Sequence, residues 1–99
     1  MKLSVAMCTY NGEKYIKSQI DSILNQTISI DEIIICDDGS NDTTLEIISQ
    51  IQQQYPTKIF LYKNATNLGS SKNFEKAITL CTGDYIFLAD QDDLWKEDK

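Results

Sequence analysis

Three carboxylates, Asp90, Asp92 and Asp93, fall within four residues directly after an apolar run, Tyr85-Ile86-Phe87-Leu88-Ala89. Like charges packed this closely repel unless something offsets them, and a hard divalent cation with oxygen ligands, Mg²⁺ or Mn²⁺, offsets them directly. The apolar run has the length of one buried strand, and in open α/β sheets ligands bind beyond the carboxyl ends of the strands. That puts Asp90, Asp92 and Asp93 where a ligand would lie. An acidic turn, or a helix N-terminus rich in aspartate, accounts for the same residues. Placement alone does not separate the two readings.

Two more polar clusters follow apolar runs. Residues 32–36, with three consecutive isoleucines, lead into Asp37-Asp38-Gly39-Ser40, where a carboxylate can accept hydrogen bonds from hydroxyls or an N–H and glycine lets a ligand approach the backbone. The alternative is an Asx turn capping the next helix. Residues 3–8 lead into Thr9-Tyr10-Asn11-Gly12, which is either a capped turn or a polar edge whose Tyr10 offers a flat base a surface to rest on.

The elements that must hold these clusters follow from periodicity and breakers. Residues 3–8 read as a buried strand, and a helix starting near Glu13 carries Ile16, Ile20, Ile23 and Leu24 on one face. After the second strand, Asp42 or Ser40 can cap a helix bearing Leu45, Ile48, Ile51 and Tyr55, which Pro56 closes. Gln50, Gln52, Gln53 and Gln54 mark its exposed end. Residues 59–62 form a short third strand and 64–69 a loop. A third helix from about Ser71 turns Phe74, Ala77, Ile78 and Cys81 inward, and Gly83 stops it before the last strand. The order β-α-β-α-β-α-β, with continuous rather than alternating apolar strands, predicts a Rossmann-like α/β fold. It has three layers, α/β/α, around a mainly parallel sheet of about four strands. The three polar strand ends then share one edge of that sheet.

Composition narrows the partners. The 99 residues suffice for one domain, the formal charge is −6, and there is no histidine. No basic patch is available for nucleic acid, and histidine cannot serve as a base. Cys8, Cys36 and Cys81 lie in or beside apolar segments without zinc or dithiol spacing, as reduced cysteines in a cytoplasmic protein do. No run approaches the ~20 apolar residues of a membrane span, which leaves a parent protein free to sit at the inner face of a membrane.

Four ordered motifs together carry a resemblance. They are Ser4-Val5-Ala6-Met7-Cys8-Thr9-Tyr10-Asn11, then Asp37-Asp38-Gly39-Ser40, then Asn67-Leu68-Gly69 with Lys72-Asn73, and Gly83-Asp84 running through Asp90-Gln91-Asp92-Asp93-Leu94-Trp95. Across essentially its whole length the chain resembles the amino-terminal half of a family 2 glycosyltransferase with the GT-A fold. The Asp-Gln-Asp-Asp-Leu-Trp variant is similar to that of rhamnosyltransferases. The resemblance implies a nucleoside-diphosphate sugar, a UDP- or dTDP-sugar, as donor. Thr9, Tyr10 and Asn11 would surround the base, Asp38 would contact base or ribose, and Asp37 would contribute to that contact or brace the turn. Gly69 and Lys72 would lie by the base or phosphates, and Asp90, Gln91, Asp92 and Asp93 at the diphosphate and its Mg²⁺ or Mn²⁺. A catalytic base and a surface for a saccharide or lipid-linked acceptor are expected beyond Lys99. The resemblance therefore implies a donor-binding half, cut after the Asp-x-Asp motif and inactive alone, of an inverting enzyme of cell-surface polysaccharide synthesis.

Two alternatives share the fold class. A sugar-nucleotide synthase should carry a basic, glycine-rich phosphate loop after the first strand, which Thr9-Tyr10-Asn11-Gly12-Glu13 is not. A receiver-like or flavodoxin-like Mg²⁺-binding module should carry a phosphoacceptor aspartate after a middle strand and a lysine after the last one.

Overall fold

The computed structural model describes residues 2–25 and 29–90. Seven elements alternate: β1 (Leu3–Thr9), α1 (Ile16–Leu24), β2 (Glu32–Asp37), α2 (Thr44–Gln54), β3 (Ile59–Lys63), α3 (Ser70–Leu80) and β4 (Tyr85–Asp90). The strands form one sheet in the order β3-β2-β1-β4, with every pair parallel. Chain order runs outward from β1 to β2 and β3, then returns to place β4 on the other side of β1. The reversal makes the β1/β4 junction the switch point, where open α/β sheets bind ligands.

Alternate side chains of the central strands feed two cores. Leu3, Val5 and Met7 of β1 and Ile33 and Ile35 of β2 pack with Ile16, Ile20 and Ile23 of α1 and Ile48 and Ile51 of α2. Ala6, Cys8, Ile34 and Cys36 face the other way, under Ala77, Phe74 and Leu80 of α3. The three-layer expectation holds, and it explains why β1 and β2 are apolar without alternation. Each fully buried isoleucine contributes about 1.5–3 kcal/mol. Cys8 and Cys36 are register partners on the thinner α3 side, and neither they nor Cys81 form a disulfide. Burial is the main reason that the Cys36 and Cys81 thiols are pushed up, Cys81 to about 11.

Several sequence expectations need correction. Residues 85–89 were expected to be buried, yet Tyr85, Ile86, Phe87 and Leu88 are 38 to 58% exposed and only Ala89 is buried. The reason is position: β4 is an edge strand, and α3 lies over β1 and β2 instead. Ile78 is also exposed, off the inward face of α3, and so is Tyr55, which follows the last residue of α2 with a non-helical backbone. Gln52 is not merely part of an exposed helix end, since its Nε2 donates to the Ile59 carbonyl at 3.0 Å.

Gly83 does not stop α3 either. The helix ends at Leu80, with Cys81 already extended. Gly83 instead lies against β1, where a Cβ would come within 2.4 Å of Ser4 Oγ and 2.9 Å of the Lys2 carbonyl oxygen. Around it the amino end of the sheet is closed by side chains. Ser4 Oγ donates to Glu32 Oε2 at 2.6 Å and accepts the Gly83 N–H at 2.8 Å, and the Thr82 N–H also reaches Glu32 Oε2, at 2.7 Å.

Candidate functional site

The polar site grows from the carboxyl ends of β1 and β2. Thr9 ends β1 and donates its hydroxyl to Asp37 Oδ1 at 2.7 Å. Asp37, the last residue of β2, also accepts the Ser40 hydroxyl and the amides of Gly39 and Ser40, at 2.6, 3.1 and 2.8 Å. This is an Asx turn built on Asp37, and the left-handed backbone it needs is supplied by Gly39, φ 94°. It does not cap α2, whose N-cap is Thr43; Asp42 just before it accepts the Thr44 N–H and hydroxyl, and against desolvation these hold its carboxyl low. Asn11, itself at φ 50°, locks the β1 loop to the same turn: its N–H donates to Ser40 Oγ and its Oδ1 accepts the Asn41 N–H. The Tyr10 ring beside it is 46% exposed.

Asp38 does something different. Its N–H donates to the Thr9 carbonyl, joining the two strand ends at 2.9 Å. Its carboxylate reaches the loop before α3: Oδ1 accepts the Leu68 N–H at 2.7 Å and Asn64 Nδ2 at 2.9 Å, and Oδ2 accepts the Gly69 N–H at 3.0 Å. Burial opposes ionisation of this carboxyl, but the Leu68, Asn64 and Gly69 donors and the Lys76 charge outweigh it and hold it below the ordinary carboxylate range. A carboxylate offers about four lone-pair sites, so among the described residues one on Oδ2 remains for a further donor. Gly69 carries its amide to Asp38 at φ 83°, a conformation that glycine adopts without strain.

The structure thus brings Thr9, Tyr10, Asn11, Asp37, Asp38 and Gly69 to one edge of the sheet. Asp90 arrives there as the final residue of β4, paired with Cys8 of β1. Lys72 is exposed on the first turns of α3. Gln91, Asp92 and Asp93 lie outside the described residues, and among the described residues no three His, Cys, Asp or Glu side chains cluster as a metal site. The donor set proposed for the cation is all oxygen, the chemistry Mg²⁺ and Mn²⁺ prefer, and β4 delivers the first member of that set to the switch point.

Three residues escaped the sequence reading as parts of one network. Asn73, buried on α3, accepts from Asn64 Nδ2 at 2.8 Å and donates to the Cys36 carbonyl at 2.9 Å, while Lys76 Nζ donates to Asn64 Oδ1 at 2.6 Å. The available signal was an asparagine at an inward position of an amphipathic helix, four residues before Ala77. A buried amide there needs a partner, and the loop supplies it.

The family model for glycosyl transferase family 2 matches residues 4–99. The chain is 41% identical to dTDP-rhamnosyl transferase RfbG of Shigella flexneri over 97 residues, 94% of this chain and 34% of that protein. The solved structure of S. aureus TarS 1–349 in complex with UDP-GlcNAc superposes with a TM-score of 0.87 at 30% identity, over 98% of this chain and 28% of that one. The mannosyltransferase PcManGT of Pyrobaculum calidifontis, in complex with GDP-Man and Mn²⁺, superposes with a TM-score of 0.86 at 25% identity, over 95% of this chain and 28% of that one. The chain spans about a third or less of the length of the first curated relatives it matches.

Proposed function

The chain belongs to glycosyl transferase family 2, and on that premise we propose that it forms the donor-binding half of a transferase acting on a nucleoside-diphosphate sugar. The observation that carries this reading is the Asp38 carboxylate. It is buried, held ionised by three N–H donors, and left with one acceptor site among the described residues, on the same sheet edge as the exposed Tyr10. One remaining acceptor suits one donor, a base N–H or a ribose hydroxyl, while Tyr10 offers the base a face.

Thr9 and Asn11 hold the β1 loop around the base, and Asp37 acts by bracing the turn beneath it. Gly69 and Lys72 lie toward the phosphates, with the Lys72 ammonium as a point charge. Asp90, Gln91, Asp92 and Asp93 complete the diphosphate end, the three carboxylates as ligands of Mg²⁺ or Mn²⁺. When bound, the cation neutralises charge developing on the departing nucleoside diphosphate. RfbG is named a dTDP-rhamnosyl transferase and TarS is solved with UDP-GlcNAc, which favours a UDP- or dTDP-sugar here. The acceptor in this reading is a saccharide or lipid-linked saccharide, and none of the residues assigned here is the base that deprotonates it. An inverting transfer in polysaccharide synthesis, on the cytoplasmic side and at the inner face of a membrane, completes the reading. Among the described residues no helix is long and apolar enough to cross a membrane.

Calorimetric titration of the full chain with UDP, dTDP and GDP, with and without Mn²⁺, tests this. Binding of UDP or dTDP that strengthens with Mn²⁺ is expected, and Asp92→Asn should remove the metal dependence. Absence of binding by all three nucleotides would contradict the assignment, and unaltered Mn²⁺ dependence in Asp92→Asn would remove Asp92 from the ligand set.

A further inference from the structure

Asn64 stands between two charges of opposite sign, and this fixes which way its amide points. Its Nδ2 faces Asp38 Oδ1 at 2.9 Å and Asn73 Oδ1 at 2.8 Å, both acceptors; its Oδ1 faces Lys76 Nζ at 2.6 Å, a donor that cannot accept. Rotating the amide by half a turn would set oxygen against carboxylate and N–H against ammonium. The lysine therefore keys the amide together with the two acceptors, and the amide in turn occupies one lone-pair position of Asp38 Oδ1. Asn73 anchors the arrangement to β2 through the Cys36 carbonyl, and the Asn64 N–H bonds to the Asp37 carbonyl at 2.9 Å. The Asp38 carboxylate is thus held directly by the 64–69 loop and, through Asn64, is tied to α3.

We propose that Lys76 is a positioning residue for nucleotide binding, acting on Asp38 through Asn64 rather than touching the ligand. This rests on the reading of Asp38 given under Proposed function. The Lys76 charge supports it further, being one of the influences that hold the Asp38 carboxyl low after burial has pushed the other way. Without the lysine, Asn64 loses one of the three partners that select its orientation, the one donor among them, and its grip on Asp38 Oδ1 loosens. Asp38 is then free to turn toward the loop amides with either oxygen, and its remaining acceptor site no longer faces one direction.

A double-mutant cycle on the full chain, read as UDP affinity by calorimetry in the presence of Mn²⁺, tests this. Lys76→Met should weaken UDP binding on the order of ten-fold, the value of one hydrogen bond to an ion. The same change in an Asp38→Asn background should cost less than about two-fold, because the group it positions is already altered. Lys76→Arg, which keeps the charge and a donor, should restore most of the loss, while thermal melts confirm that all variants fold. Equal losses from Lys76→Met in both backgrounds would overturn the proposal and make Lys76 a direct contact. No loss from Lys76→Met in the parent background would also overturn it. Wild-type affinity in Asp38→Asn alone would instead overturn the Asp38 reading itself, so the two failures are distinguishable.

Discussion

At the amino end of the sheet Glu32 sits between Ser4 and Thr82, and at the carboxyl end Asp38 sits between Asn64 and the Leu68 and Gly69 amides. Both carboxylates are buried. Burial opposes the charge in both, and chain donors outweigh it in both, so both carboxyls lie below their ordinary range. What differs is the space beside them. Next to Glu32, Gly83 has no room for a methyl group, whereas a Cβ at Gly39 or Gly69 would meet no heavy atom within 4 Å. A depressed carboxyl is therefore no marker of a binding site by itself. The amino end uses its carboxylate to close a seam, and the carboxyl end uses an equivalent one to shape an open edge.

The largest expected effect is at the closed end. Gly83→Ala drives a methyl into Ser4 Oγ and the backbone of β1, and should cost about 2–3 kcal/mol of stability. UDP affinity, measured on the folded fraction, should stay within two-fold. Urea denaturation followed by calorimetry on the same samples checks both halves, and a loss of affinity with stability intact would erase the contrast between the ends. At the open end the ranking reverses. Asp38→Asn puts an amide N–H against the Leu68 or Gly69 N–H and should weaken UDP by about 1–3 kcal/mol, with a smaller fall in melting temperature. A pure stability loss with unchanged affinity would make Asp38 a loop strut like Glu32.

A smaller effect comes with pH. A carboxyl whose folded value is lowered adds stability that is fully present above its unfolded value, about 4, and that disappears as pH falls through the folded value. Both ends should thus weaken below about pH 4. Glu32→Gln should lower the melting temperature at pH 7 and flatten its decline in acid. An unchanged acid slope would show that Glu32 does not carry the titration.

The sequence made most of the fold legible because β1 and β2 are buried on both faces and so lack alternation, which points to a parallel sheet. The same rule misread β4, whose apolar run is equally continuous although it lies at an edge. Local pattern reports side-chain type and carries no information about which strands a helix will cover. For the site, the residues beside strand ends were readable from turn chemistry. The division of labour between Asp37 and Asp38 was not, since it depends on a loop 26 to 31 residues away. Asn64, Asn73 and Lys76 were missed as a network for the same reason: their partners are set by tertiary approach. Gly83 reads as a helix stop until the seam with β1 is seen.

The central claim is that nucleotide binds at the carboxyl edge and not at the similar amino end. Titrating UDP with Mn²⁺ into the ¹⁵N-labelled chain and following backbone amides tests it residue by residue. The account expects shifts at Tyr10, Gly39, Leu68 and Gly69, with Lys2, Ser4, Thr82 and Gly83 unmoved. Shifts concentrated around Glu32 and Gly83, or none at either end at saturating UDP, would contradict it.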